Sequence, residues 1–287
     1  MNQRDMIKFK DEYLARVASI NPSGLAAQLA YLFLLSLFPF LIFSITLLGY
    51  TSIKADDVIN LVKRSVPFET ASVIADNVRS VLASRNTGLL SFGAIAAMWS
   101  ASSALNSIIN VLDKSYEVTE GRSFLKSRAV AIALTFMMIP AILVSLLLPV
   151  FGEKIGRLIF SYMGLSSVFL TLWNVARWVL SFCIMIVVLA GIYYFAPHKR
   201  LRFKGILAGA LFTTVGWHSV SWCFSYYVNH IGNYSAIYGS LGSIIVLMVW
   251  FYVVALLIIL GGVLNSTLYS VRTQNSEANH YLDRKAG

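Results

Sequence analysis

The sequence predicts an all-α protein: a polytopic membrane bundle of six transmembrane helices with short amphipathic interfacial helices. Hydrophobic residues make up 57% of the 287 residues and charged residues only 13%, whereas soluble domains carry about 25% charged residues. So few charges could not cover the surface of a soluble domain, because exposed polar groups keep folded chains from associating. Long charge-free runs and an uneven distribution of Lys and Arg also indicate a membrane protein.

Long charge-free runs supply the predicted spans, because a helix needs about 20 mostly apolar residues to cross the hydrocarbon core. The first four spans, in chain order, are Leu25–Tyr50, Gly88–Leu112, 129–152 and 178–198. The run 205–271 is long enough for a fifth and a sixth span, joined near Asn229–Gly239 where small and polar residues interrupt the apolar pattern. The weaker run 158–176 would give a seventh span.

The distribution of cations favours six spans and places both termini in the cytoplasm. Cytoplasmic loops collect Lys and Arg, and six spans put 15 of the 23 cationic residues inside and 8 outside. A seventh span would move the segment Lys199–Lys204 outside and leave 9 inside against 14 outside. We therefore expect six spans.

The segments that flank the membrane domain are short. Residues 1–24 form a cytoplasmic lead, in which Ile7 and Leu14 among charged residues indicate an amphipathic helix. Residues 25–268 form the six-span membrane domain. Residues 269–287 are predicted to be a polar, mobile cytoplasmic tail.

Three segments on the predicted outer face have helical periodicity. Residues 56–62 and 67–82 are predicted to form two short helices on that face. Residues 153–174 are predicted to form an interfacial or re-entrant helix. These helices would either cap the bundle or gate an outward opening.

Polar side chains inside the spans are the candidates for a functional site, because hydrocarbon offers them no hydrogen-bond partner. We expect five of them to face a polar pocket between the first, second, fifth and sixth spans: Gln28, Ser103, Asn106, His218 and Asn265. In the alternative interpretation each of them only bonds one helix to another. His218 would then be neutral and bonded to a nearby serine, whereas in the first interpretation it could sense pH.

Two prolines lie inside predicted spans. Pro39 and Pro140 each leave the carbonyl group four residues earlier without its helical donor, and this predicts a kink in the first and third spans. The kink at Pro39 would lie beside the polar pocket.

The connection between the fifth and sixth spans is predicted to be a structured outer loop. It contains no charge, and it places two tyrosines beside small residues: Tyr234, Tyr238, Gly239 and Gly242. Tyrosine rings favour the membrane interface, and glycine permits close approach of the backbone.

The sequence predicts no catalytic residue, no metal and no cofactor. It contains none of the short motifs that mark nucleotide-binding, zinc or serine-hydrolase sites. An acidic cluster of Asp113, Glu117 and Glu120 could in principle hold Mg²⁺. Local salt bridges with cations of the same loop explain this cluster better.

Membrane lipids are the predicted partners, because the cations lie at the ends of the spans, where lipid phosphates are the nearest anions. We expect six of them to contact anionic headgroups: Arg122, Arg128, Lys199, Arg200, Arg202 and Lys204. The chain contains no basic domain, so we expect no nucleic acid partner. The sequence leaves open a homo-oligomer or an envelope protein as protein partner.

Four segments resemble the YihY/BrkB family of bacterial inner-membrane proteins. They are AAQLAYLFLLSLFPFLIF, LSFGAIAAMWSASSALNSIINVLDKSYEV, YYFAPHKRLRFKGILAGALF and FSYYVNHIGNYSAIYGSLGSIIVLMVWFYVVALLIILGGVLN. The resemblance extends over about residues 20–268. One departure is that Val263 and Leu264 precede Asn265, where many family members carry an acidic residue, so a metal or proton role for that acid is not carried over.

The resemblance implies a six-span protein of the bacterial cytoplasmic (inner) membrane with a role in transport or lipid handling. The family has carried a ribonuclease BN label that is widely regarded as a misassignment. The leading hypothesis is a transporter or flippase-like exporter of a lipid or other amphiphile in envelope homeostasis. The alternative is a non-transporting membrane scaffold or regulator, and a membrane-bound ribonuclease is a remote third.

Overall fold

The structure is a computed structural model that describes residues 3–48, 50, 87–118, 122–138, 167–199, 201, 203–230 and 241–286. Within these ranges all regular secondary structure is helical, which confirms the all-α prediction. The seven helices are α1 (Gln3–Ile20), α2 (Pro22–Leu48), α3 (Thr87–Ser115), α4 (124–138), α5 (Ser167–Phe195), α6 (Phe203–His230) and α7 (Leu241–Ala286).

Four of the described helices are long and apolar enough to cross a membrane. The segments concerned are Pro22–Ser44, Thr87–Ser115, Trp178–Phe195 and Ile244–Gln274. They match the predicted first, second, fourth and sixth spans. Large apolar side chains such as Phe38, Trp178 and Trp222 are exposed, as expected for helices whose surface contacts lipid rather than water.

The described residues do not establish the total of six spans. The third predicted span begins in α4, but residues 139–152 lie outside the described residues. The fifth lies in α6, which has 28 residues and is less apolar because Thr213, Thr214 and His218 interrupt it. The predicted outer helices at 56–62 and 67–82 also lie outside the described residues.

Two helices extend beyond the predicted spans. α5 begins at Ser167, so that residues 167–174 continue into the fourth predicted span rather than forming a separate helix. α7 has 46 residues and continues to Ala286, where we expected a mobile tail. The reason is compositional: residues 269–286 contain no Gly or Pro, the two residues least favourable in a helix.

Asn21 separates α1 from α2. Its φ of 53° is the left-handed conformation that ends many helices, and asparagine adopts it more readily than most residues. Its Oδ1 atom accepts a hydrogen bond from the Gly24 backbone N–H at 3.4 Å, and Pro22 is the first residue of α2. One residue therefore ends the N-terminal helix and caps the first span.

The described helices form two compact units. The smaller unit, Tyr31–Ser103, contains most of α2 and the first half of α3. There Gly93 lies against the backbone of Phe43, and a Cβ atom on Gly93 would come 3.0 Å from the Phe43 nitrogen.

The larger unit, formed by Met1–Ala30 and Ala104–Gly287, contains the remaining helices. In it α6 packs against both α5 and α7, and α1 packs against α7. Its core includes Leu112, Leu189, Ile206 and Val263, all of which are fully buried.

Candidate functional site

Two glycines allow α6 and α7 to pack closely. A Cβ atom on Gly209 would overlap the carbonyl oxygen of Gly261 and the amide of Asn265, and one on Gly261 would overlap the hydroxyl of Thr213. Asn265, which is 1% exposed, fills the space that Gly209 leaves. Its Oδ1 accepts a hydrogen bond from the Gly209 N–H at 2.7 Å, and its Nδ2 donates to the Ile206 carbonyl at 3.0 Å.

A buried tyrosine connects three helices just beside this contact. The Tyr193 hydroxyl of α5 donates a hydrogen bond to the Ile258 carbonyl of α7 at 2.7 Å and lies 2.8 Å from Thr213 Oγ1 of α6. Thr213 also donates to the Leu257 carbonyl at 3.2 Å. Tyr193 is not among the site residues predicted from the sequence. The sequence does place this tyrosine near the end of an apolar run, and a tyrosine hydroxyl needs a hydrogen-bond partner when it is buried.

The five residues of the predicted pocket occupy different surroundings. Gln28 is exposed on α2. Asn106 of α3 accepts a hydrogen bond from Ser127 of α4 at 2.7 Å.

Ser103, which belongs to the smaller unit, donates to the Trp99 carbonyl of its own helix at 2.8 Å. His218 is half-buried, its Nδ1 lies 2.9 Å from the Thr214 carbonyl, and its ring lies 5.2 Å from that of Phe182. Asn106, His218 and Asn265 thus each bind a residue outside the predicted set, and the pocket stays a prediction.

A cleft of about 120 Å³ lies at one end of the larger unit, beside the ends of α1, α3 and α5. The side chains that line it include Arg16, Tyr116, Glu117, Lys199, Ser266 and Tyr269. Tyr116 and Glu117 directly follow α3, Lys199 follows α5, and the remaining lining residues belong to α1 and α7. The six-span prediction places this end on the cytoplasmic side.

Arg16 connects α1 to the end of α3. Its guanidinium group binds Glu12 one turn earlier, with Nη2 3.0 Å from Oε1, and it also lies 3.0 Å from the carboxylate of Glu117. It donates a further hydrogen bond to the Ser115 carbonyl. The Arg16 side chain is only 12% exposed. Each of the three nitrogen atoms of its guanidinium group therefore has an oxygen partner.

Glu117 ends α3 in a Schellman motif. Its φ is 55°, the Val118 N–H donates to the Asp113 carbonyl at 3.0 Å, and the Glu117 N–H donates to the Lys114 carbonyl at 3.1 Å. This backbone turn brings the Glu117 carboxylate to Arg16.

The acidic cluster therefore differs from the expected set of local salt bridges. Glu117 pairs with a cation of α1, because the left-handed turn directs it there. Asp113 accepts a hydrogen bond from the His198 backbone N–H at 2.6 Å. Glu120 lies outside the described residues. Within the described ranges, no group of three or more His, Cys, Asp or Glu residues could hold a metal ion.

Aromatic rings form one wall of the cleft. The rings of Tyr116 and Tyr269 meet edge to face, 6.1 Å apart, and the ammonium group of Lys199 lies 4.7 Å from the centre of the Tyr269 ring. Tyr116 is 4% exposed, and its hydroxyl has no hydrogen-bond partner among the described residues. Burial raises the pKa of Tyr116, so its hydroxyl stays protonated and remains a donor.

The structure describes three of the six cations expected to contact lipid. Arg122 donates hydrogen bonds to the carbonyls of Ala196 and Pro197, at 3.1 and 3.2 Å, where α5 ends. This position suits a cation, because carbonyl groups at a helix C-terminus carry partial negative charge. Arg128 is half-buried and Lys199 is exposed. The side chains of Arg200, Arg202 and Lys204 lie outside the described residues.

Three residues of the predicted outer loop, Tyr234, Tyr238 and Gly239, also lie outside the described residues. The same is true of Pro140, the site of the second predicted kink. Gly242, which we expected in the loop, is the second residue of α7. Pro39 lies inside α2, whose helix is continuous through it.

These features define the class of the protein: it is an all-helical membrane protein with several apolar helices. The chain belongs to the family described as virulence factor BrkB, whose family model matches residues 14–285. This match confirms the family resemblance.

Known relatives agree with this assignment. One relative is a Bacillus subtilis protein that is named ribonuclease-like protein YfkH. It is 45% identical over 275 residues, which cover 96% of this chain and 100% of the relative. A UPF0761 membrane protein of Xanthomonas campestris is 30% identical over 103 residues, which are 36% of this chain and 23% of the relative. A UPF0761 membrane protein of Methylibium petroleiphilum is 27% identical over 85 residues, which are 30% of this chain and 20% of the relative. No solved structure matches the chain.

Proposed function

We propose that this protein is a transporter or flippase-like exporter of an anionic lipid or similar amphiphile in the bacterial inner membrane, with both termini in the cytoplasm. The observation that supports this proposal is a polar face on α7 that leads from the helical interior to the cleft. Asn265 is buried among helices, Ser266 is buried and also lines the cleft, and residues of the next two turns, among them Tyr269, Ser270 and Thr273, line it further out.

The positions of these residues fit a headgroup route. Ser266, Tyr269, Ser270 and Thr273 are three or four residues apart and so lie on one face of the helix. The buried end of this face carries the hydroxyl pair of Ser115 and Ser266, 2.5 Å apart. A polar headgroup could exchange hydrogen bonds along such a face while its acyl chains stay in the lipid. Lys199 at the open end would attract an anionic headgroup, since a cation near a membrane surface contributes about 1 kcal/mol.

Reconstitution tests this proposal. Purified protein is incorporated into vesicles that contain fluorescent phosphatidylglycerol, and a membrane-impermeant reductant bleaches the outer leaflet. We expect bleaching to exceed that of protein-free vesicles, and we expect a smaller excess with fluorescent phosphatidylcholine, which carries no net charge. Lys199→Gln should slow the bleaching of the anionic lipid. Lys8→Gln, at an exposed site on α1, is the matched control and should leave the rate of bleaching unchanged.

The second candidate is a non-transporting scaffold or regulator, and a specific observation favours it. Tyr193, Thr213 and Asn265 are all bonded to neighbouring helices, which is what residues that only join helices require. Bleaching equal to that of protein-free vesicles for both lipids would contradict transport and support the scaffold.

Ribonuclease activity is the remote third candidate, and only the name of the Bacillus subtilis relative suggests it. We propose that the chain is not an enzyme, in line with the absence of catalytic motifs from the sequence. Purified protein incubated with structured RNA, with and without Mg²⁺, should give no more cleavage than a mock purification. Cleavage that persists after further purification would overturn this proposal.

A further inference from the structure

We propose that the cleft beside Tyr116, Lys199 and Tyr269 is a binding site for a single phosphate group, of the kind that an anionic phospholipid carries in its headgroup. The inference names the chemical group that the cleft recognises. It rests on the proposed function only for the lipid as the source of that group.

The first argument is the hydroxyl group of Tyr116. The Tyr116 side chain is buried and lines the cleft, and no described residue bonds to its hydroxyl group. Buried hydroxyl groups almost always have partners, because leaving one unbonded forfeits the hydrogen bond it makes to water when exposed. A phosphate oxygen in the cleft would supply the missing acceptor.

The charged side chains that the structure describes in the cleft leave one cation free to bind an anion. Arg16 is already engaged by Glu12 and Glu117, which together carry one more negative charge than it neutralises, and it also binds the Ser115 carbonyl. Among the described residues no carboxylate forms an ion pair with Lys199, whose ammonium group lies over the face of the Tyr269 ring. The ammonium group of Lys199 is therefore the positive charge that is available to bind an anion in the cleft. Because the Glu117 carboxylate is paired with Arg16, it repels a bound anion less than an unpaired carboxylate would.

The size and depth of the cleft also fit the phosphate group of a lipid. A volume of about 120 Å³ is well above the roughly 10–15 Å³ that a single water molecule needs, so the cleft accommodates a phosphate group. The cleft lies at the last turns of the α7 span, just past the ends of the α3 and α5 spans. Lipid headgroups occupy this depth.

The experiment measures binding alone. Full-length protein in detergent is titrated with dioctanoyl phosphatidic acid, and retained lipid is counted by native mass spectrometry. Dioctanoylglycerol, which has the same acyl chains and no phosphate, is the ligand control. Inorganic phosphate is added as a competitor.

We expect saturable binding of one phosphatidic acid, weak binding of dioctanoylglycerol and competition by inorganic phosphate. Lys199→Gln and Tyr116→Phe should each raise the dissociation constant about tenfold, the order expected for a lost contact with a charged group. Tyr116→Phe keeps the aromatic ring and removes only a hydroxyl that has no partner in the described part of the chain, so the fold should be kept. Lys8→Gln and Tyr194→Phe, at exposed residues outside the cleft, should bind as the parent does.

Unchanged binding in both Lys199→Gln and Tyr116→Phe would overturn the site. Equal binding of the two dioctanoyl ligands would overturn phosphate recognition. Saturable binding of inorganic phosphate, together with no binding of phosphatidic acid, would support the phosphate site and contradict the lipid as its source. Intact binding in a protein that moves no lipid between leaflets would contradict the proposed transport function and leave this site supported.

Discussion

The amide group of Asn265 lies where a side chain on Gly209 would lie, and its Oδ1 accepts a hydrogen bond from the Gly209 backbone N–H at 2.7 Å. Asn265 can approach the backbone of α6 because Gly209 has no Cβ, and its amide bonds to that backbone at two points. This pair joins α6 to α7 at the centre of the larger unit. The stability of the bundle should therefore depend on both residues.

Replacement of Asn265 tests whether it joins helices or serves a pocket. Asn265→Ala removes two hydrogen bonds and leaves a cavity, so we expect the free energy of unfolding to fall by about 1–2 kcal/mol. Thermal unfolding in detergent, followed by circular dichroism, measures this change. Asn110→Ala, at an exposed position of α3, is the control and should leave the unfolding temperature unchanged. If Asn265→Ala unfolds at the parent temperature and only activity is lost, the pocket interpretation is favoured.

The glycine contact makes a second prediction. Gly261→Ala places a methyl group against Thr213 Oγ1 and the Tyr193 hydroxyl, and we expect a loss of about 1–3 kcal/mol from overpacking. Gly205→Ala, in α6, meets nothing within 4 Å and should gain up to about 1 kcal/mol from helix propensity. Unfolding temperatures should therefore move in opposite directions for two chemically identical substitutions. A parallel shift would contradict close packing at Gly261.

Adjacent tyrosines provide a third test. Tyr193→Phe removes the hydroxyl that bonds the Ile258 carbonyl and Thr213, and we expect it to destabilise the protein by about 1–3 kcal/mol. Tyr194→Phe, at the exposed neighbouring position, should change stability by no more than about 0.5 kcal/mol. Denaturant unfolding of the two variants in the same detergent gives the comparison. Equal effects would contradict a special role for the Tyr193 hydroxyl.

The Schellman turn predicts a stabilising substitution. Glu117 adopts a φ of 55°, and a left-handed conformation costs a non-glycine residue roughly 1–2 kcal/mol. Its ion pair with Arg16 involves a carboxylate that is 73% exposed, so it contributes at most about 1 kcal/mol. Glu117→Gly should therefore unfold at the same or a higher temperature, whereas Glu117→Val should unfold at a lower one. A clear loss of stability in Glu117→Gly would mean that the ion pair outweighs the backbone strain.

The distribution of cations predicts the topology. Reporter domains fused at Gly287 and near Gly232 should lie on opposite sides of the membrane, because 15 cations against 8 favour cytoplasmic termini in a six-span arrangement. An alkaline phosphatase and fluorescent protein pair, active on opposite sides, measures this. Reporters on the same side would contradict the six-span prediction.

Hydrophobic composition and charge-free runs were enough to predict an all-α membrane protein, because crossing hydrocarbon demands about 20 apolar residues in a row and that pattern is local in the sequence. The same reasoning indicated that Asn265 and Asn106 need polar partners. It could not name Gly209 or Ser127 as those partners, since they are distant along the chain. The length of α7 was underestimated, because polarity suggested a tail where helix propensity continued the helix.

The sequence by itself determined the class of the protein, the approximate positions of its apolar helices and the polar residues that must find partners within them. Only the tertiary structure decided which helices touch, and therefore that Tyr193 bonds α7, that Arg16 holds Glu117, and that Lys199 lies over Tyr269. The physical reason is that hydropathy and helix propensity act within one turn or one span. Hydrogen bonds, ion pairs and glycine contacts between helices depend on how distant segments pack, and no period in the sequence records that.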